Sequence, residues 1–240
     1  MISSPDELIA LANEWGILPF FAGEIEGFSV EENIAPDCWF SDDPEKGNGA
    51  WDWKADCIIQ GDLAYGKFYK GKACFVSMRF FPDLVNVRKA NEKLTEVEKN
   101  ILGVLKEHHT LTTAELKKLC GYQRARRTAK KNPIEVLTEK QNKVIRPCGK
   151  RGTESFETAI THLQMNGEVL ISDFTYRYNR EGQNTGFGMA HYCTPDDFFG
   201  SERMAVDRGF LESSLLIYKH LTKVLPQATP EQIDTIIVGR

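Results

Sequence analysis

The sequence predicts an α+β chain, and three observations carry that prediction. Apolar residues recur at helical spacing behind N-cap residues in several stretches. Two pairs of alternating apolar and aromatic runs face each other across turn-forming segments. Between these patterns lies a segment, Lys117 to Arg151, with twelve Lys or Arg and only two acids, Glu135 and Glu139. It is net +10 in a chain whose total is −4, so the remainder carries −14. That asymmetry fits a surface that meets a polyanion. The plainer reading is a solvated basic loop that serves solubility.

The first element is a helix over Pro5–Trp15, with Leu8, Ile9, Leu11, Ala12 and Trp15 at helical spacing. Ser4 is its N-cap, Pro5 sits in the first turn and Gly16 stops it. A turn-rich acidic stretch runs from Glu24 to Gly49, and Trp39, Trp51 and Trp53 fall within fifteen residues. Clustered tryptophans can stack bases. The preferred reading is a small satellite core beneath a hairpin, because aromatic rings bury large areas. Leu63–Tyr69 and Ala73–Met78 read as that hairpin, turning at Lys70-Gly71-Lys72. Pro82 then opens a short helix to Lys89.

From Leu94 the pattern changes. Thr95 and Glu98 form a capping-box signature, and Val97, Ile101, Leu102, Val104 and Leu105 continue a helix to Glu107. His108-His109-Thr110 breaks it, and Thr112 or Thr113 caps a second helix bearing Leu116, Leu119 and Cys120, with Gly121 as its stop. Two short helices across a polar turn open a helix-turn-helix unit. After the basic insertion at 122–152, a third helix spans Ser155–Asn166, with Phe156, Ala159, Ile160 and Leu163 on its apolar face. Glu168–Phe174 and Gly186–Cys193 read as two strands around a polar loop. Three helices followed by a hairpin is the order of a winged-helix domain. A helix over Ser201–Leu225 follows, with Gly209 weakening it, and a last helical segment opens at Pro230. The expected organisation is an N-terminal α+β unit (1–92), a winged-helix unit with its insertion (93–200) and a C-terminal helical segment (201–240).

Several strings carry a family resemblance. They are Thr161-His162-Leu163-Gln164-Met165, Val169-Leu170-Ile171-Ser172-Asp173-Phe174, Gly186-Phe187-Gly188 and Tyr192-Cys193-Thr194-Pro195, together with Trp51-Asp52-Trp53-Lys54 and Tyr65-Gly66-Lys67-Phe68. Over about residues 15–200 the chain resembles bacterial winged-helix proteins distantly similar to crosslink-unhooking DNA glycosylases. The resemblance implies a multi-unit winged-helix architecture around a DNA-sized channel. It also implies a Gln-x-Gln or Gln-x-Asp catalytic motif. The nearest string here is Gln164-Met165-Asn166, at a helix end, and Asn cannot act as a general base. No catalytic residue is therefore assigned.

Other chemistry is missing from the sequence. There is no phosphate-binding Gly-rich loop with Lys-Ser/Thr, no Gly-x-Ser-x-Gly and no His-Glu-x-x-His. The six cysteines form no Cys-x-x-Cys pair and have no metal-ligand spacing with the histidines, so free buried thiols are expected and no metal or cofactor. No apolar run nears the ~18 residues that span a bilayer, and no export signal opens the chain. No membrane partner and a cytoplasmic location are expected.

The leading functional expectation is a duplex-DNA-binding protein. Arg124, Arg126, Arg127, Lys130 and Lys131 of the insertion, with Arg177 and Arg180 of the wing, would contact phosphates. Thr158, Thr161, His162 and Gln164 of the third helix would reach base edges. Glu154 and Glu157 oppose phosphate approach there, so the insertion and wing should dominate. The alternatives are a glycosylase-like repair enzyme, which needs a pocket for an extruded base, and a protein-interaction module. A homodimer through the C-terminal helix is a further partner reading.

Overall fold

The computed structural model describes residues 1–39, 49–90, 93–122, 154–176 and 188–239. The chain opens with α1 (Pro5–Trp15), capped where Ser4 Oγ accepts from the Glu7 amide. Gly16 follows at φ 77°, a left-handed conformation that favours glycine. A Cβ there would also lie 2.5 Å from the Phe80 ring. β1 (Ile17–Pro19) and the short helix α2 (Val30–Asn33) come next. The tryptophan-rich stretch then folds as α3 (Ala50–Gln60), an element that the sequence pattern did not announce.

The expected hairpin forms as β2 (Leu63–Tyr69) and β3 (Lys72–Ser77). β1 joins it, giving an antiparallel sheet of order β1-β3-β2 with Leu18↔Phe75 and Tyr65↔Phe75 in register. The hairpin strands are buried along most of their length because α1 and α3 pack against them. α4 (Phe81–Lys89) follows.

α5 (Glu96–His108) starts at the predicted capping box: Thr95 Oγ1 accepts from the Glu98 amide and Glu98 accepts from the Thr95 amide. The polar break after it is a strand, β4 (Thr110–Thr112), rather than a bare turn. Its threonine is also the cap of α6 (Thr113–Leu119). α7 (Phe156–Met165) is the expected third helix, followed by β5 (Leu170–Thr175) and β6 (Met189–Cys193). The two-stranded expectation is corrected to a three-stranded antiparallel sheet of order β4-β6-β5, with Leu111↔Tyr192 and Ile171↔Tyr192 in register.

The chain continues through α8 (Pro195–Phe199) and α9 (Ser201–Met204). The single helix expected over Ser201–Leu225 is broken. α10 begins only at Phe210 and runs to Val224, with Gly209 as its N-cap. α11 (Pro230–Val238) closes the described chain.

Apolar packing crosses both expected unit boundaries. One core gathers Leu8, Phe20, Trp53 and Phe75 with Ile101, Leu105, Phe156, Leu163 and Tyr192. A second gathers Phe68, Phe81 and Leu84 with Leu170, Cys193, Ile217, Leu221 and Ile236. The tryptophans do not form a separate satellite. Trp39 and Trp51 sit 5.2 Å from the Phe20 ring, and Phe20 and Trp53 belong to the first core. Arg88 locks distant elements together: its guanidinium donates to the carbonyls of Met165, Ile236 and Ile237, which end α7 and α11. Such charge-assisted bonds satisfy the open carbonyls that every helix C-terminus leaves.

Candidate nucleic-acid interface

α7 places five side chains inward, Phe156, Ala159, Ile160, Leu163 and Gln164. The last corrects the sequence expectation. Gln164 is fully buried and cannot read a base edge. Its Oε1 accepts from the Lys67 amide of β2 at 3.1 Å, and its Nε2 donates to the Ile160 carbonyl at 3.0 Å. The β2 ladder shifts register between Gly66 and Tyr69, and this amide fills the gap. Gln164 is thus a brace between α7 and the first sheet.

The outer face of α7 lines an open groove of about 590 Å³ with Glu154, Glu157, Thr158, Thr161, His162 and Met165. Thr158, Thr161 and His162 are therefore brought together as expected. Thr158 Oγ1 lies 2.8 Å from Ser155 Oγ. Thr161 Oγ1 accepts from Lys67 Nζ at 3.3 Å, so the hairpin lends a cation to the groove. His162 Nδ1 meets Glu98 Oε1 at 2.5 Å, and that glutamate is wholly buried while the histidine is about a third exposed. A buried carboxylate needs a partner, and His162 supplies it from the groove side. Of the two acids expected to repel phosphate, Glu157 is bonded by Lys117 at 2.5 Å, and Glu154 accepts from Thr95 Oγ1 at 2.7 Å.

Arg124, Arg126, Arg127, Lys130, Lys131, Arg177 and Arg180 lie outside the described residues. The ends of the insertion are described, however. Its first residue Tyr122 packs at a tilt against Phe156, the first residue of α7, with ring centroids 5.5 Å apart, and Glu154, just after the insertion, lines the groove. The described residues on either side of the net-positive segment therefore lie beside the same helix.

Sequence reasoning missed a second place. Lys54, on α3, is only 6 % exposed. Its Nζ sits 4.6 Å from the Trp51 ring and 4.7 Å from the Phe174 ring of β5. Burial pushes the lysine pKa down to about 8, with Asp52 opposing part of that effect, and burial raises the Asp52 carboxyl in turn. The available signal was the spacing of Trp51 and Lys54, three apart on one helix face. Without the helix assignment, that spacing had no meaning. Lys67 and Glu98 were visible only as a strand residue and a capping residue.

Among the described residues, no cluster of three His, Cys, Asp or Glu could hold a metal, and Cys57, Cys74, Cys120 and Cys193 are buried free thiols. No described helix is long and apolar enough to cross a membrane. A comparison with protein families finds a match to the family described as AlkZ related over residues 2–238. No match was found among curated proteins or among solved structures.

Proposed function

The chain belongs to the AlkZ-related family, and from that premise we propose a winged-helix protein that binds DNA in a repair setting. AlkZ itself is a DNA-crosslink repair glycosylase, which supports DNA as the partner class proposed for this chain. The winged-helix reading is supported by the run α5-β4-α6-α7-β5-β6 and the sheet order β4-β6-β5. In that arrangement α7 is the groove-facing helix and the β5–β6 loop is the wing. One observation carries the DNA reading: the described residues that flank the basic insertion lie beside α7, Lys117 bonding Glu157 before it and Glu154 lining the groove after it, where Thr158, Thr161, His162 and Lys67 gather. Arg124, Arg126, Arg127, Lys130 and Lys131, with Arg177 and Arg180, are assigned to phosphates. Thr158, Thr161 and His162 are assigned to the duplex edge.

Fluorescence anisotropy with labelled duplex and single-stranded oligonucleotides at 50 and 200 mM salt tests this. Six or so phosphate contacts should weaken binding about 10³-fold across that range. Replacing Arg124, Arg126, Arg127, Lys130 and Lys131 with Gln should remove most of the affinity and flatten the salt slope. Absence of binding at 50 mM salt would overturn the reading.

A second copy of the chain is the finer partner reading, supported by the exposed Phe210, Leu211 and Leu215 on α10. Sedimentation should then show a dimer that Leu211→Glu with Leu215→Glu converts to monomer.

A further inference from the structure

The polar residues of the α7 groove stand in an order that contact with phosphates leaves unexplained. Four-residue spacing sets them in two rows, Glu157 with Thr161 and Met165, and Glu154 with Thr158 and His162. The acids stand at the N-terminal end and the donors at the C-terminal end. Two donors are held in place there among the described residues. Lys67 is exposed, yet its amide donates to Gln164 Oε1 at 3.1 Å and its ammonium donates to Thr161 Oγ1 at 3.3 Å. α7 therefore grips it by both backbone and side chain. His162 is fixed through Nδ1 by Glu98, whose other oxygen accepts from the Thr95 amide at 2.7 Å. A wholly enclosed carboxylate beside a neutral ring would leave a buried charge uncompensated, so the pair as a whole is neutral. Whichever member holds the shared proton, Nε2 then bears a hydrogen, and it is the ring nitrogen turned away from Glu98. The acceptor of the face is Glu157. It is exposed, and the bond from Lys117 takes up part of a carboxylate that has about four acceptor sites.

We propose that this face reads a G·C pair in the major groove: His162 Nε2 and Lys67 Nζ donate to guanine O6 and N7, and Glu157 accepts from cytosine N4. This deepens the DNA reading above and rests on it. Guanine presents two acceptors side by side on that edge, and cytosine beside it presents an amino donor. In an A·T pair adenine carries an amino group where guanine has O6, and thymine carries an acceptor where cytosine has its amine. Two donors with one carboxylate therefore match G·C and oppose A·T at both bases. The same contact gives a reason for the acid that would repel a phosphate. Donors already fixed by Gln164, Thr161 and Glu98 lose little freedom on binding, which a loose surface lysine would lose in full.

Selection of bound sequences from a randomised duplex library by the full-length protein at low salt tests it. The enriched sites should share a fixed G·C pair. On a selected duplex, 7-deazaguanine at that position should weaken binding about fivefold or more, because it lacks the N7 acceptor. Inosine should bind as guanine does, because the amino group it lacks faces the minor groove. Lys67→Met and Glu157→Gln alter exposed side chains outside the buried pair, and circular dichroism checks their folding. Each should relax discrimination of G·C against A·T by about fivefold or more. Each should also leave affinity for a scrambled duplex within about threefold of the parent. Glu98→Gln with His162→Leu removes the other donor without stranding a charge and should have the effect of Lys67→Met. Uniform weakening of every duplex by Lys67→Met, with a shallower salt slope, marks a phosphate contact. That result overturns the proposal and leaves the DNA reading intact, as does binding with no fixed G·C pair. Absence of binding to any duplex overturns both.

Discussion

At the scale of single residues, the buried titratable groups carry the sharpest consequences. Glu98 is wholly enclosed and meets His162 at 2.5 Å. Removing one member of such a pair leaves an uncompensated buried charge, typically 3–5 kcal/mol. His162→Ala is therefore expected to destabilise by about 3 kcal/mol in urea denaturation. Adding Glu98→Gln should recover part of that loss, since Gln keeps the capping bond and removes the charge. Lys54 behaves differently. Its pKa is about 8 in the fold and near the ordinary lysine value when unfolded. Between those values the unfolded state holds the proton and the folded state does not, so this lysine's contribution to stability rises with pH. Below about 8 both states are charged and the full penalty applies. Lys54→Met should accordingly be more stable than the parent at pH 7, with the gap shrinking towards pH 10. The paired comparison matters, because the thiols of Cys57, Cys74 and Cys193, pushed up to about 12 by burial, act in the opposite direction at alkaline pH.

At the scale of elements, what could be read in the sequence follows from where local signals coincide with tertiary ones. α1, α5 and α7 carry a Ser or Thr N-cap and an apolar stripe, so periodicity and capping agree and each helix was found. α3 lacked the cap, since Gly49 offers no side chain, and its stripe of Ala50, Trp53, Cys57 and Ile58 is interrupted by the charge of Lys54 and masked by the aromatic cluster Trp51-Asp52-Trp53. β4 is three residues long and is held by pairing to β6, some eighty residues away, which no local pattern reveals. Gln164 was read as exposed because Gln commonly faces water, whereas a register shift in β2 left an amide that only an inward carbonyl oxygen could satisfy. The groove threonines and His162 were legible, while Lys54 and Lys67 were not, since their positions depend on α3 and on a strand docking against α7. Junctions between elements are equally specific. Gly167 holds φ 72°, and a Cβ there would meet Val85 at 2.6 Å. Gly167→Ala should lower stability by about 2 kcal/mol or more. Pairing it with Val85→Ala should relieve the clash but not the backbone strain, leaving a measurable residue of the loss in thermal unfolding.

At the scale of the whole molecule, two cores bind segments far apart in sequence. Ile217, Leu221, Ile233 and Ile236 pack with Phe68, Phe81 and Leu170, so the last forty residues complete a core begun before residue 90. Removing residues 201–240 would expose this apolar surface, each buried Leu or Ile contributing about 1.5–3 kcal/mol. The shortened chain is expected to lose its cooperative thermal transition and to bind a hydrophobic dye such as ANS. A shortened chain that melts cooperatively near the parent temperature would count against that. The hairpin turn between β2 and β3 is the meeting point of this architecture. Gly71 approaches Thr161 of the groove, and the Lys70 amide donates at 2.9 Å to the Gly239 carbonyl beyond α11. That one amide is shielded only while α11 stays docked, since its acceptor lies at the far end of the chain. Its hydrogen-exchange rate, a single resonance in an NMR spectrum, is consequently a built-in gauge of whether α11 stays fastened to the first sheet, read from the turn that borders the α7 groove.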